Sequence, residues 1–117
     1  MFKSFTDMPV WQTALELSEK IFMLSSNLPK WEDYGLTSQI RRSSNSISSN
    51  IAEGFGRNGK KDKCYFYIVS RGSAYETQHH LIYGQKIGYF PEDKVKTLIK
   101  HYNNLIYDLN KIIKSMR

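Results

Sequence analysis

A single cysteine, Cys64, occurs in 117 residues, so the chain can build neither an internal disulfide nor a multi-cysteine zinc site. It also lacks any apolar run approaching the ~20 residues that span a bilayer. The opening Met1-Phe-Lys-Ser-Phe-Thr-Asp7 has no apolar core of the signal-peptide kind. These absences lead to the expectation of a cytoplasmic protein with no place in the membrane. Proline is scarce, at three residues, and no segment alternates apolar and polar residues as a half-buried strand would. Acidic residues are outnumbered, 11 against 17 basic ones. The shortage is local. Residues 1–58 carry six of each sign, whereas residues 59–117 carry eleven Lys/Arg against five Asp/Glu, the whole excess of +6. A basic half of this kind suits an anionic partner such as nucleic acid or a membrane surface.

Apolar residues are plentiful, at 40%, with eight Tyr, six Phe and two Trp. That is ample for one packed domain over residues 1–117. They recur at helical spacing along nearly the whole chain, which predicts an all-α fold. Helix one is expected to start near Asp7, an N-cap type, with Pro9 in the first turn. Val10, Ala14, Leu17, Ile21, Leu24 and Leu28 then form a seam of coiled-coil spacing that Pro29 closes. Helix two is expected over about 35–53, stopping in Gly54-Phe-Gly56, where glycine can take a left-handed cap. A basic connection, Arg57 to Lys63, leads to helix three over about 61–87. That helix carries Tyr65, Phe66, Ile68, Val69, Gly72, Tyr75, Leu81 and Tyr83, and Gly88 ends it. Pro91, Glu92 and Asp93 open helix four, whose Val95, Ile99, Tyr102, Ile106, Leu109, Ile113 and Met116 alternate steps of four and three. Four helices joined by short turns predict an up-down-up-down four-helix bundle.

Helix two is unusual in composition. Gln39, Arg42, Ser46, Asn50 and Glu53 fall within about 80° of one another, and Leu36, Ile40, Ile47 and Ile51 form an apolar stripe roughly a quarter turn away. A polar face rich in serine and amide groups suits a buried network or a contact with a second surface, and equally a solvated face. Both readings stay open on pattern alone.

No catalytic constellation emerges, and the chain is expected not to be an enzyme. Glu76-Thr-Gln-His79 matches the Glu-x-x-His pattern of bundle metal pairs, but the second motif that such a site needs is missing. Cys64 has no histidine nearer than His79, about four turns along the same helix. Gly54-Phe-Gly-Arg-Asn-Gly59 follows no strand and lacks the Gly-Lys-Ser/Thr of a phosphate loop. Hence no metal or other cofactor is expected. Two basic features remain. One comprises Arg57, Lys60, Lys61 and Lys63 in the connection, with Arg41 and Arg42 of helix two. The other is a helix-four stripe of Lys96, Lys100, Asn103, Tyr107, Lys111 and Lys114. Basic residues with an interleaved aromatic suit a nucleic-acid backbone with occasional base stacking.

The segments Tyr34-Gly-Leu-Thr-Ser-Gln-Ile-Arg-Arg42, Ser46-Ile-Ser-Ser-Asn-Ile-Ala-Glu-Gly-Phe-Gly-Arg57 and Ser70-Arg-Gly-Ser-Ala-Tyr-Glu76 resemble a family of bacterial bundle proteins encoded in intervening sequences of 23S ribosomal RNA genes. Phe5-Thr-Asp-Met-Pro-Val-Trp-Gln12 and Lys86-Ile-Gly-Tyr89 extend the resemblance over almost the entire chain. It implies a left-handed four-helix bundle assembling as a homopentamer. It further implies kinship with accessory variability proteins of diversity-generating retroelements, which bind nucleic acid and a reverse transcriptase. The family pattern has proline where this chain has Ser48, which implies a straighter helix two. On this basis Arg41, Arg42, Arg57, Lys60, Lys61 and Lys63 are the expected nucleic-acid contacts. Gln39, Asn50, Glu53 and Glu76 are the expected polar network that fixes the arginines. RNA or DNA, a reverse transcriptase and further copies of the chain are the candidate partners. The alternative is a purely structural or protein-binding scaffold without nucleic-acid activity.

Overall fold

Four α-helices and no strand make up the computed structural model, which describes residues 1–117. They are α1 (Pro9–Ser25), α2 (Leu36–Phe55), α3 (Lys60–Lys86) and α4 (Glu92–Ser115). Single 3-10 turns cover Phe5–Asp7 and Lys30–Glu32. Each helix packs on its neighbours in sequence, and α1 meets α4 to close the bundle.

Cross-helix bonds give the directions. Along α2 and α3, Ser43 pairs with Thr77 at 2.8 Å and Ser73 donates to Ser46 at 3.0 Å. Ser70 Oγ donates to the Ile47 carbonyl at 2.8 Å. Along α3 and α4, Arg71 reaches Asn110 at 2.9 Å and Gln78 reaches Asn103 at 2.8 Å. Rising numbers on one helix meet falling numbers on the next, so both pairs are antiparallel. At one end of the bundle, Trp31 Nε1 donates to the Tyr89 hydroxyl at 3.2 Å, which donates to Glu32 at 2.9 Å. That chain ties the α1–α2 connection to the α3–α4 connection. The α2–α3 connection and the C-terminal end of α4 lie at the opposite end, where Cys64 Sγ stands 3.9 Å from the Ile113 carbonyl.

The apolar stripe of α2 behaves as its spacing requires, for Leu36, Ile40, Ile47 and Ile51 are all buried. So are Val95, Leu98, Tyr102, Leu105, Ile106, Leu109 and Ile113 of α4. Helix α2 runs unbroken through Ser48.

Elsewhere the structure corrects the sequence reading. Helix α1 stops at Ser25, four residues before Pro29. There Ser25 and Ser26 turn their hydroxyls onto the Phe22 carbonyl at 3.1 and 2.8 Å, competing with the backbone ladder. Asp7 is not the N-cap, since Met8 holds that position without a side-chain bond. Likewise Pro91 is the N-cap of α4 rather than a first-turn residue. At the end of α2, Gly56 has a right-handed φ of −77°, and the glycine at positive φ is Gly88, at +89°. Gly54 serves packing instead, because a Cβ there would press on the Tyr67 ring.

The largest correction concerns α3. Its buried face is Cys64, Tyr67, Ser70, Ala74, Thr77, Gln78, His80, Leu81 and Gly84. Of the residues that the sequence reading picked out on this helix, Tyr65, Tyr75 and Tyr83 are exposed, and Phe66, Ile68 and Val69 are half-buried. Small side chains at 70, 74 and 77 let α2 approach closely enough for hydroxyl-to-hydroxyl bonds. Larger residues there would hold the helices apart.

Candidate nucleic-acid interface

The six basic residues expected to form one site do not stand together. Arg41 and Arg42 lie on α2 some fifteen residues before Arg57, a rise of about 22 Å along the helix. Two of the six are occupied within the fold. Arg41 donates from Nε to Ser25 Oγ at 2.8 Å and from Nη2 to the Phe22 carbonyl and Ser26 Oγ, both at 3.3 Å. Its guanidinium also lies 4.1 Å from the Phe22 ring centroid. A cation here meets the Phe22 carbonyl and the negative dipole end of α1. Lys63 does the same for α2, donating to the Phe55 carbonyl at 2.7 Å and the Gly54 carbonyl at 3.3 Å.

Arg57 is exposed and pairs with Glu53 at 3.0 Å, with its guanidinium 4.5 Å from the Phe66 ring centroid. Arg42, Lys60 and Lys61 are exposed and have no acidic partner. Arg42 lines a groove of about 660 Å³ between α1 and α2, beside Glu19, Phe22 and Asn45. Lys60 and Lys61 occupy the first turn of α3, where the helix dipole disfavours a cation.

The expected polar network does not form as a unit. Gln39 is exposed and makes no side-chain hydrogen bond, while Asn50 bonds within its own helix, to the Ser46 carbonyl at 2.8 Å and Ser46 Oγ at 2.9 Å. Glu53 holds Arg57 alone, being three turns from Arg42 on the same helix. Glu76 bonds to His80 Nε2 at 3.1 Å rather than to His79 or to any arginine. Because Arg42 and Glu53 are both exposed and unpaired with each other, Arg42→Ala and Glu53→Ala should each cost less than about 1 kcal/mol. The double variant should be additive in thermal melts. A cost of several kcal/mol, or strong coupling, would require a buried pairing absent from this subunit.

No three His, Cys, Asp or Glu side chains converge as a metal site. Cys64 is buried. What the fold does assemble is a basic end. The first turn of α3 packs beside the last turns of α4. Exposed Lys60 and Lys61 therefore share one end of the bundle with exposed Lys111, Lys114 and Arg117. The sequence reading kept these two groups apart, and Arg117 escaped it. Lys96 and Lys100, of the same helix-four stripe, lie towards the other end. No helix is long and apolar enough to cross a membrane.

Comparison with known proteins gives three results. No curated protein matches the chain. The fold is similar to a crystal structure of a protein of unknown function from the S23 ribosomal protein family of Bacteroides thetaiotaomicron VPI-5482. The two share 22% identity at a TM-score of 0.80, over 90% of this chain and 98% of that one. The family model for 23S rRNA-intervening sequence proteins matches residues 6–111. A match over nearly the full length, on the segments that build α1 to α4, settles kinship: the chain belongs to the 23S rRNA-intervening sequence protein family.

Proposed function

We propose that this is a non-enzymatic protein of the cytoplasm that binds nucleic acid, or a nucleic-acid-bound partner such as a reverse transcriptase, through its basic bundle end. The observation that carries the reading is the grouping of Lys60, Lys61, Lys111, Lys114 and Arg117 at that end. Lys60 and Lys61 have no acidic partner, at a position that the helix dipole makes unfavourable for them. A local cost without a local return is common where a surface serves a partner. Assembly as a left-handed homopentameric bundle would repeat this end around an axis and add the +6 of each chain to the field. The outward face of α2, with Gln39, Arg42, Asn45 and Ser49 exposed, is free to make that subunit contact.

Contacts to phosphate would give little base specificity and a steep loss of affinity with salt. Changing Lys60, Lys61, Lys111 and Lys114 together to glutamine should weaken binding roughly a hundredfold near physiological salt and flatten the salt slope by about four. All four are exposed, so the melting temperature should hardly move. Fluorescence anisotropy across a salt series, with light scattering on the same samples, reads both binding and subunit number. A wild type that binds no nucleic acid at low salt would leave the scaffold reading in its place.

A further inference from the structure

A strip of exposed tyrosine runs beside the lysines of α4. Tyr75 of α3 is 54% exposed and Tyr107 of α4 is 65% exposed. The two stand at the same level of the bundle, bracketed by the Arg71–Asn110 bond on one side and the Gln78–Asn103 bond on the other. Tyr75 is one turn from Arg71 and Tyr107 one turn from Asn103, so both lean from the outer surface towards the seam between the helices. Those two bonds fix the seam, and Lys111 holds its ammonium 5.1 Å from the Tyr107 ring centroid. Lys96, Lys100 and Lys114 continue along the same face of α4. The nearby acids, Glu76 and Asp108, each lie about 100° round their helices from the adjacent tyrosine, on the side away from the seam. They are also engaged, with His80 at 3.1 Å and Lys111 at 3.8 Å.

We propose that the α3–α4 seam binds single-stranded nucleic acid, with bases stacked on Tyr75 and Tyr107 and phosphates held by Lys100, Lys111 and Lys114. This rests on the nucleic-acid reading above and deepens it, since the seam leads away from the basic end. An exposed ring flanked by ammonium groups offers a base its π-face and the phosphate its counter-charge together. In a duplex the base faces are already stacked on one another, so the rings select for the single strand. Charge complementarity favours a polyanion over a second copy of the chain. A second copy docked on this face would set the α4 lysines against another chain of net charge +6.

The test compares wild type with the paired variants Tyr75→Ala/Tyr107→Ala and Tyr75→Phe/Tyr107→Phe. Anisotropy is read at one fixed salt concentration on unstructured oligo-dT and oligo-U of about 20 nucleotides, and on a duplex of equal length. The alanine pair should lose roughly fiftyfold or more on the single strands and stay within about twofold on the duplex. The phenylalanine pair keeps both rings and should bind nearly as wild type. The inference fails if the alanine pair binds single strands normally, or if the phenylalanine pair is as weak as the alanine pair. It fails too if light scattering shows that the alanine pair has changed subunit number, which would assign the seam to self-contact. A wild type that binds duplex and ignores single strands overturns this inference and leaves the proposed function standing. Binding to neither removes both.

Discussion

Gly84→Ala should lower the melting temperature by about 10 °C, corresponding to roughly 2–3 kcal/mol for a domain of this size. Gly84 is buried on α3, and a Cβ there would overlap the edge of the Phe90 ring. The ring cannot simply retreat. Phe90 is only 4% exposed, and the backbone N–H groups of Tyr89 and Phe90 both donate to the Gly84 carbonyl, at 2.8 and 3.2 Å. Moving the ring therefore means opening the turn that carries the chain from α3 to α4. Gly72 on the same helix supplies the control, since it is exposed and a Cβ there meets nothing within 4 Å. Gly72→Ala should stabilise by about 0.5–1 kcal/mol, the difference in helix propensity. Thermal melts followed by circular dichroism read both variants. A Gly84→Ala melt within about 2 °C of wild type would show that the α3–α4 turn yields more easily than its bonds suggest.

Tyr102 should give opposite results with two substitutions. It is fully buried, at 0% exposure, and its hydroxyl has no hydrogen-bond partner. Tyr102→Ala removes a large ring from the core and should cost about 3–5 kcal/mol. Tyr102→Phe keeps the ring and deletes the unpaired hydroxyl, so it should stabilise by about 1 kcal/mol. The pH dependence separates the two effects. Burial pushes the Tyr102 hydroxyl well above the ordinary tyrosine range in the folded chain, while the unfolded chain titrates near 10. The neutral side chain thus contributes its full share below pH 10. That share is lost as pH rises from 10 towards the folded value, because unfolding then releases a proton. Tyr67, also raised by burial, acts in the same direction. Tyr102→Phe should therefore decline less steeply in alkali than wild type. Urea melts between pH 7 and 11 decide it. A less stable phenylalanine variant at pH 7, or an unchanged alkaline slope, would mean that the hydroxyl is satisfied after all.

Some of this was legible in the sequence and some was not, for identifiable reasons. The buried faces of α2 and α4 follow from spacing, because Ile and Leu occupy one side and polar residues the other. Helix α3 carries apolar groups on both sides, so periodicity alone could not choose. The deciding signal was the run of Ser70, Ala74 and Thr77, small residues that allow close approach to α2, while the tyrosines on the other side are as apolar as core residues. Arg41 and Lys63 were read as available cations. Their actual roles depend on where the previous helix ends in space, and α1 ends three residues before the Leu28 that its seam suggested. Lys60 and Lys61 could be named from sequence, but their nearness to Lys111, Lys114 and Arg117 required the antiparallel pairing of α3 with α4.

The two occupied cations have a consequence for how the chain acquires its structure during synthesis. The Phe22 carbonyl of α1, already bonded by Ser25 and Ser26, gains the charge of Arg41 only once α2 is present, and the Phe55 carbonyl of α2 waits for Lys63, which lies on α3. A nascent chain that has emerged only to residue 55 holds α2 with its C-terminal carbonyls still open to water. Short helices in isolation are marginal, so neither α1 nor α2 is a finished unit before its successor arrives. Completion passes forward along the chain, and an N-terminal fragment that stops after α2 inherits an unsealed end.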